Sequence, residues 1–204
     1  MGILGAMTEV EALATGRDAL AAGRWEEARA AFAAALPFEA RSFDAVLCQA
    51  ALMFFPDRAG ALREMARVAT PGGTLAVQVW DRLEAQEGFG AMYRVLAEHL
   101  GPEAMELESS YWVLGDLDLV GSLFEAAGLR VTGTRTRAGT VRFGSAEEAV
   151  RTEIEATPLA ERIGQESFRR LIEAAGEALR PYTVAGGGVE LPIRGHLITA
   201  AKGG

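Results

Sequence analysis

The hydrophobic pattern of this chain changes period several times, and each change marks an element. Phe43–Cys48 is a near-continuous apolar run with Val46 and Leu47 inside it, which predicts a short strand buried on both faces. Asp57 stands where a helix N-cap belongs, and Leu62, Met65, Ala66 and Ala69 follow at spacings of three and four, building one apolar stripe. Pro71, Gly72 and Gly73 predict a sharp stop to that helix, and Thr74–Trp80 is a second β-rich run. A strand, a crossover helix and a strand in this order make the two strands parallel neighbours.

Further along, Gln86–Leu100 and Asp118–Ala127 read as helices, and Leu129–Arg137 reads as a third strand after Gly128. Ser145 and Glu148 match a capping box that opens a helix running to about Ala156, and Thr157-Pro158 starts a short one. Phe168, Leu171, Ile172, Ala175 and Leu179 stripe a longer helix that ends before Pro181. Val189–Ala201 is the last strand, with Pro192 confined to an edge or bulge near its start. Ahead of all this, Thr8 and Glu11 match another capping box. Val10, Leu13 and Leu20 mark one helix that breaks near Gly23, and Trp25, Ala28, Phe32 and Ala35 share one face of a second. The stretch GRWEEARAAFAAAL is similar to half of a tetratricopeptide-type hairpin, and a single such unit cannot bury its own apolar face. The expected division is a helical hairpin at 1–36 and an α/β domain at 37–204.

A chain of 204 residues has room for one domain with a real core and a small appendage. Lys plus Arg is 20 against 28 Asp plus Glu, and the resulting net charge of −8 argues against a nucleic-acid surface and against an anionic membrane. No apolar run reaches 18 residues, so no transmembrane span is expected. The start, MGILGAMTEV, lacks the basic region and apolar stretch of a signal peptide, and the single cysteine, Cys48, lies inside the first strand. The expected location is the cytoplasm. His99 and His196 lie far apart without a nearby cysteine, so no metal site is expected, and Cys48 reads as a small buried hydrophobe. The pairs Glu26-Glu27 and Glu147-Glu148 read as solvated helix charges.

Three stretches taken together carry a family resemblance: LPFEARSFDAVLCQ at Leu36–Gln49, FFPDRAGALREMARVATPGG at Phe54–Gly73, and the strand ending in Val79-Trp80-Asp81. They resemble the class I S-adenosylmethionine-dependent methyltransferases, in the branch that acts on small quinone-like or lipid-like acceptors, and the likeness can be traced from Leu36 to Lys202. The resemblance implies an α/β fold: a partial Rossmann-like sheet of about four strands lacking the first βαβ half, with helical insertions, and with the last strand entering antiparallel between the second and third. In that family the cofactor is held mainly by a glycine-rich turn after the first strand, an acidic residue ending the second, and an Asp shortly before the LPF motif. None of these is matched here. Phe32 stands where the resemblance would place the Asp; Gly72-Gly73 ends a helix, Gly186 to Gly188 introduce the last strand, and Gly88 and Gly90 follow no strand.

By resemblance, the loop beginning at Gln49 lies beside the reactive end of S-adenosylmethionine, which makes Gln49 the candidate cofactor contact; a plain polar loop start is the alternative. Phe54, Phe55, Trp80, Tyr93 and Trp112 are candidates for an apolar acceptor pocket beneath the helices around residues 86–115 and 145–180, with ordinary core as the alternative. Losing the first half of the sheet leaves the Phe43–Cys48 strand with an unpaired edge and no Lys or Pro within it to discourage pairing. A homodimer joined through that edge is therefore expected. The functional expectation is a methyltransferase-like protein acting as a non-catalytic dimeric scaffold or small-molecule-binding module, with S-adenosylmethionine not held by a single chain. The alternative is a methyltransferase for a small apolar acceptor whose cofactor site is completed by another chain or partner.

Overall fold

The computed structural model describes Leu36 and residues 38–101, 109–155 and 163–202. The expected N-terminal hairpin and the short helix at Thr157-Pro158 lie outside the described residues. The chain forms two compact units, described in turn: one holds the described residues up to Val79, Leu117–Arg135 and those from Leu197, and the other holds Trp80–Asp116 and Thr136–His196.

In the first unit, strand β1 (Phe43–Gln49) leads through a single 3-10 turn at Leu52–Phe54 into helix α1 (Arg58–Val68) and then strand β2 (Ala69–Trp80). Asp57 caps α1 as expected: its Oδ1 accepts the Gly60 N–H at 2.7 Å. The α1 stripe is buried, with Leu62 fully enclosed and Met65, Ala66 and Val68 beside it. Helix α3 (Leu117–Ala126) contacts α1 and contributes buried Val120 and Phe124.

β1 and β2 pair in parallel, from Ala45 opposite Thr74 to Gln49 opposite Gln78. Here the structure departs from the sequence reading in two ways. Pro71, Gly72 and Gly73 do not form a loop between helix and strand. They lie within β2, where an irregularity in the register between Phe43 and Ala45 accommodates them, and Gly72 takes a φ of +80° that a side chain would resist. β1 is also not buried on both faces. Only Cys48 is buried, and Leu47 is 75% exposed, because β1 ends the strand order β1-β2-β4-β3 and has β2 alone as its partner among the described residues.

Strand β3 (Leu129–Phe143) runs six residues further than expected, and β4 (Val189–Lys202) sits between β2 and β3. Cross-strand side-chain pairs Thr132 with Thr199, Thr136 with His196, and Arg142 with Glu190 show residue numbers rising on β3 as they fall on β4, so the two are antiparallel. The order and this sense agree with the topology implied by the resemblance.

In the second unit, α2 (Glu87–Leu100), α4 (Ala146–Glu155) and α5 (Gln165–Ala178) enclose one apolar cluster. α2 supplies Phe89, Met92 and Leu96, α4 supplies Val150 and Ile154, α5 supplies Leu171 and Ala175, and β4 supplies Val189 and Leu191. The capping box opening α4 forms with a shift: Ser145 Oγ accepts the Glu148 N–H at 3.0 Å, and the Glu148 carboxylate accepts from Gly144 rather than from Ser145, at 2.7 Å.

Two glycines make opposite predictions. A Cβ at Gly115 would run into backbone atoms of Asp81 and Arg82, whereas one at Gly121, inside α3, would meet open space. Gly115→Ala is expected to destabilise by about 2 kcal/mol or more through overpacking against rigid backbone. Gly121→Ala is expected to stabilise by roughly 0.5–1 kcal/mol through the helix preference of Ala. Urea unfolding of the two variants checks both signs.

Candidate functional site

The carboxyl ends of β1 and β2 form the first part of the site. Gln49 and Gln78 are register partners, and the chain turns immediately after Gln49 through Ala50, whose φ is +47° and whose N–H donates to the Gln78 carbonyl at 3.0 Å. A non-glycine residue in that region is strained, and such residues concentrate at functional loops. Gln49 is exposed. Gln78 donates its amide to the Val79 carbonyl at 3.0 Å, while its buried Oε1 has no partner among the described residues. Phe54 closes the 3-10 turn beside buried Leu52 and Met53. Cys48 points into the core, and burial pushes its thiol pKa up while backbone groups of Leu52 and Ala51 pull it down.

These residues offer one wall for a cofactor and no cradle. β1 leaves through Gln49-Ala50-Ala51, and among the described residues no glycine-rich turn presents backbone N–H groups between a strand and a helix. The residues present do not by themselves fit S-adenosylmethionine, and no methyl-transfer step follows from their geometry.

Three of the five aromatics proposed for the acceptor pocket, Trp80, Tyr93 and Trp112, come together in the helical unit; Phe54 and Phe55 belong to the other unit. Tyr93 and Trp112 meet edge-on with ring centroids 6.0 Å apart, and Phe89 packs on Trp112 at 5.4 Å. Tyr93 is buried and its hydroxyl donates to Glu153 Oε2 at 2.6 Å. Burial holds the Glu153 carboxyl above its ordinary pKa, and the Tyr93 hydrogen bond partly offsets this. Trp112 is also buried, and its indole N–H finds no acceptor among the described residues.

Sequence reasoning missed a polar network at the exit of β2. Asp81, Gln86 and His196 are all buried. Asp81 Oδ1 accepts the Arg82 N–H at 2.8 Å, and Oδ2 lies 3.4 Å from the Arg194 guanidinium. His196 stands between Thr136, 2.9 Å from its Nδ1, and Asp81, 3.2 Å from its Nε2. That second approach is close enough for electrostatic attraction but is not aligned as a hydrogen bond, so Nε2 counts as unpaired in that sense. The only signal available beforehand was an Asp directly after the second strand and a His within the last; their separation of more than a hundred residues hid the contact.

No group of three or more metal-ligating side chains occurs among the described residues, and no described helix is long and apolar enough to cross a membrane. A groove of about 500 Å³ in the first unit, lined by Val120, Leu129, Arg130 and Ile198 among others, shares no residue with the candidate set.

Comparison with known proteins now bears on this geometry. The methyltransferase-domain family model matches residues 5–77. That segment is similar to the methyltransferase-domain family. A demethylmenaquinone methyltransferase of Deinococcus radiodurans is 37% identical over 117 residues, covering 54% of this chain and 48% of that protein. An uncharacterized protein of Mycobacterium tuberculosis is 36% identical over 132 residues, covering 61% of this chain and 43% of that protein. The chain therefore spans less than half the length of these relatives. Among solved structures, a methyltransferase-type protein of Bacillus halodurans superimposes with a TM-score of 0.51 at 20% identity, covering 84% of this chain and 69% of the other, which establishes the fold. The family match begins at residue 5, ahead of Leu36, so the likeness extends into the stretch that the sequence reading set apart as a hairpin.

The buried carboxyl in the helical unit yields a pH prediction. Because Glu153 has a raised pKa when folded, the native state holds its proton more tightly than the unfolded state. This contribution to stability is present below the ordinary carboxyl pKa and is lost as pH rises through the raised value. Glu153→Gln keeps an acceptor for Tyr93 and removes the titration. In chemical denaturation at several pH values it is expected to abolish this component and to be more stable than the parent chain at neutral pH.

Proposed function

We propose that this methyltransferase-like chain acts as a dimeric, non-catalytic module that binds small apolar molecules. The observation that carries this reading is the open side of β1. Phe43 is 37% exposed and Leu47 75% exposed on a strand whose sole described partner is β2. An apolar strand with a free row of backbone groups is a template for another strand. A second copy of the chain meets that need with a self-complementary pairing: β1 against β1 about a two-fold axis runs antiparallel, and Asp44, its one charged residue, falls away from the centre of the strand. The missing cradle among the described residues argues for binding without methyl transfer, and the aromatic cluster around Trp112 supplies an apolar site.

A second reading has its own support. The unpartnered Gln78 Oε1 and the strained Ala50 sit at the strand ends where ligands bind in open α/β sheets, and the Deinococcus relative is a methyltransferase. On that reading another chain or partner completes a site for S-adenosylmethionine and a small apolar acceptor.

Light scattering after size exclusion at micromolar concentration is expected to give twice the chain mass for the parent protein and a monomer for Leu47→Lys, which places a charge on the junction. A strictly monomeric parent protein would remove the dimer. Calorimetric titration with S-adenosylhomocysteine separates the two readings: no heat of binding supports the non-catalytic one, and tight binding at one per chain overturns it.

A further inference from the structure

Within the aromatic cluster the hydrogen-bonding groups are unevenly satisfied. The Tyr93 hydroxyl is committed to Glu153 at 2.6 Å. Trp112 is 8% exposed and its indole N–H is enclosed, yet it has no acceptor among the described residues. A buried donor left unpaired costs roughly 1–3 kcal/mol, and native proteins rarely leave one without a reason. Its surroundings are apolar: Phe89 and Tyr93 rings approach the indole at 5.4 and 6.0 Å, and Trp80 packs on the same cluster. An indole N–H can only donate, so what completes it must bring an acceptor. The flanking rings favour an apolar, preferably aromatic, body for the rest of the molecule.

We infer that Trp112 is the polar anchor of a ligand subsite in the helical unit, and that the ligand is an uncharged apolar molecule bearing a carbonyl or ether oxygen that accepts from the Trp112 N–H. The inference rests on the small-molecule-binding reading above and sharpens it. A carboxylate ligand is disfavoured because the Glu153 carboxyl is bonded to Tyr93, which packs on Trp112, while Arg151, over the Phe168 ring of the same cluster, is already paired with Glu147 and Glu155. A ligand offering donors alone gains nothing from the indole.

The test uses two probes of nearly equal shape, 2-acetylnaphthalene and 2-isopropylnaphthalene, which differ by the oxygen. Titrations of the full chain followed by calorimetry are expected to show the ketone binding roughly fivefold more tightly, the equivalent of one neutral hydrogen bond. Trp112→Phe is expected to equalise the two. To cover the chance that this variant fails to fold, the parent protein labelled with ¹⁵N gives an independent readout. One of its indole N–H resonances, assigned by comparison with Trp25→Phe and Trp80→Phe, should move on adding the ketone and stay in place on adding the hydrocarbon. Equal affinities, a preference that survives Trp112→Phe, or an indole resonance blind to the ketone each overturn the anchoring role while leaving apolar binding intact. Failure of both probes to bind overturns the small-molecule reading itself, and this inference with it.

Discussion

The side chain of Gln86 holds together the region on which the second unit is built. Fully buried, it behaves as an extra piece of backbone. Its amide donates to the carbonyls of Asp81 and Arg194, at 3.1 and 2.9 Å, and its carbonyl accepts the Arg194 N–H at 2.8 Å. Asp81 adds its own N–H to the Arg194 carbonyl at 3.0 Å. The exit of β2 is thus tied to β4 across a sequence separation of more than a hundred residues, just where β2 stops supplying a ladder. The arrangement also explains how Pro192 is tolerated in a strand that lies inside the sheet order. It precedes Arg194 and so sits past the end of the β2 ladder, where its missing N–H goes unneeded. Every donor and acceptor of the Gln86 amide that the strands require is used, which is the condition under which burying such a group is tolerable.

Much of the architecture was legible because it rests on short-range signals. Asp57 before an apolar stripe, Ser145 three residues before Glu148, and the five-residue stripe from Phe168 to Leu179 each announce a helix through local hydrogen bonding or spacing, and each is found. The less local features were misread. An unbroken apolar run such as Phe43–Cys48 says strand, but whether both its faces are covered depends on neighbours elsewhere in the sheet, and Leu47 shows that they are not. Helix α1 does stop ahead of Pro71-Gly72-Gly73, at Val68, but a parallel partner with an irregular register takes those residues into β2, which starts earlier than Thr74. Trp80, Tyr93 and Trp112 fall in one apolar cluster, as either an acceptor pocket or an ordinary core would have them, while Asp81, Gln86 and His196 were invisible because their roles come only from contacts between distant residues.

The exposed side of β1 follows from the same sheet order that makes β2 and β4 well protected. β2 alternates cleanly, with Leu75, Val77 and Val79 fully enclosed, because it has a strand on either side. Among the described residues β1 has one neighbour, and its sequence was not adjusted for an edge: FDAVLCQ contains none of the inward charges, prolines or lysines by which edge strands discourage pairing. A sequence written for an interior strand at an edge position is a conflict between local and global design.

Polar groups in the interior therefore divide by how completely they are satisfied. Around Gln86 the bonds close on one another, and their effect is to fix the path of the chain. At Gln78 Oε1 and Trp112 Nε1 a buried acceptor and a buried donor are left open among the described residues. The two open atoms lie in different units and on different elements, one at the end of the parallel strands and one among the helices. They are also chemically complementary in what they ask for, the first a donor and the second an acceptor. A molecule recognised at the strand ends must offer N–H or O–H, whereas one recognised in the helical cluster must offer a lone pair.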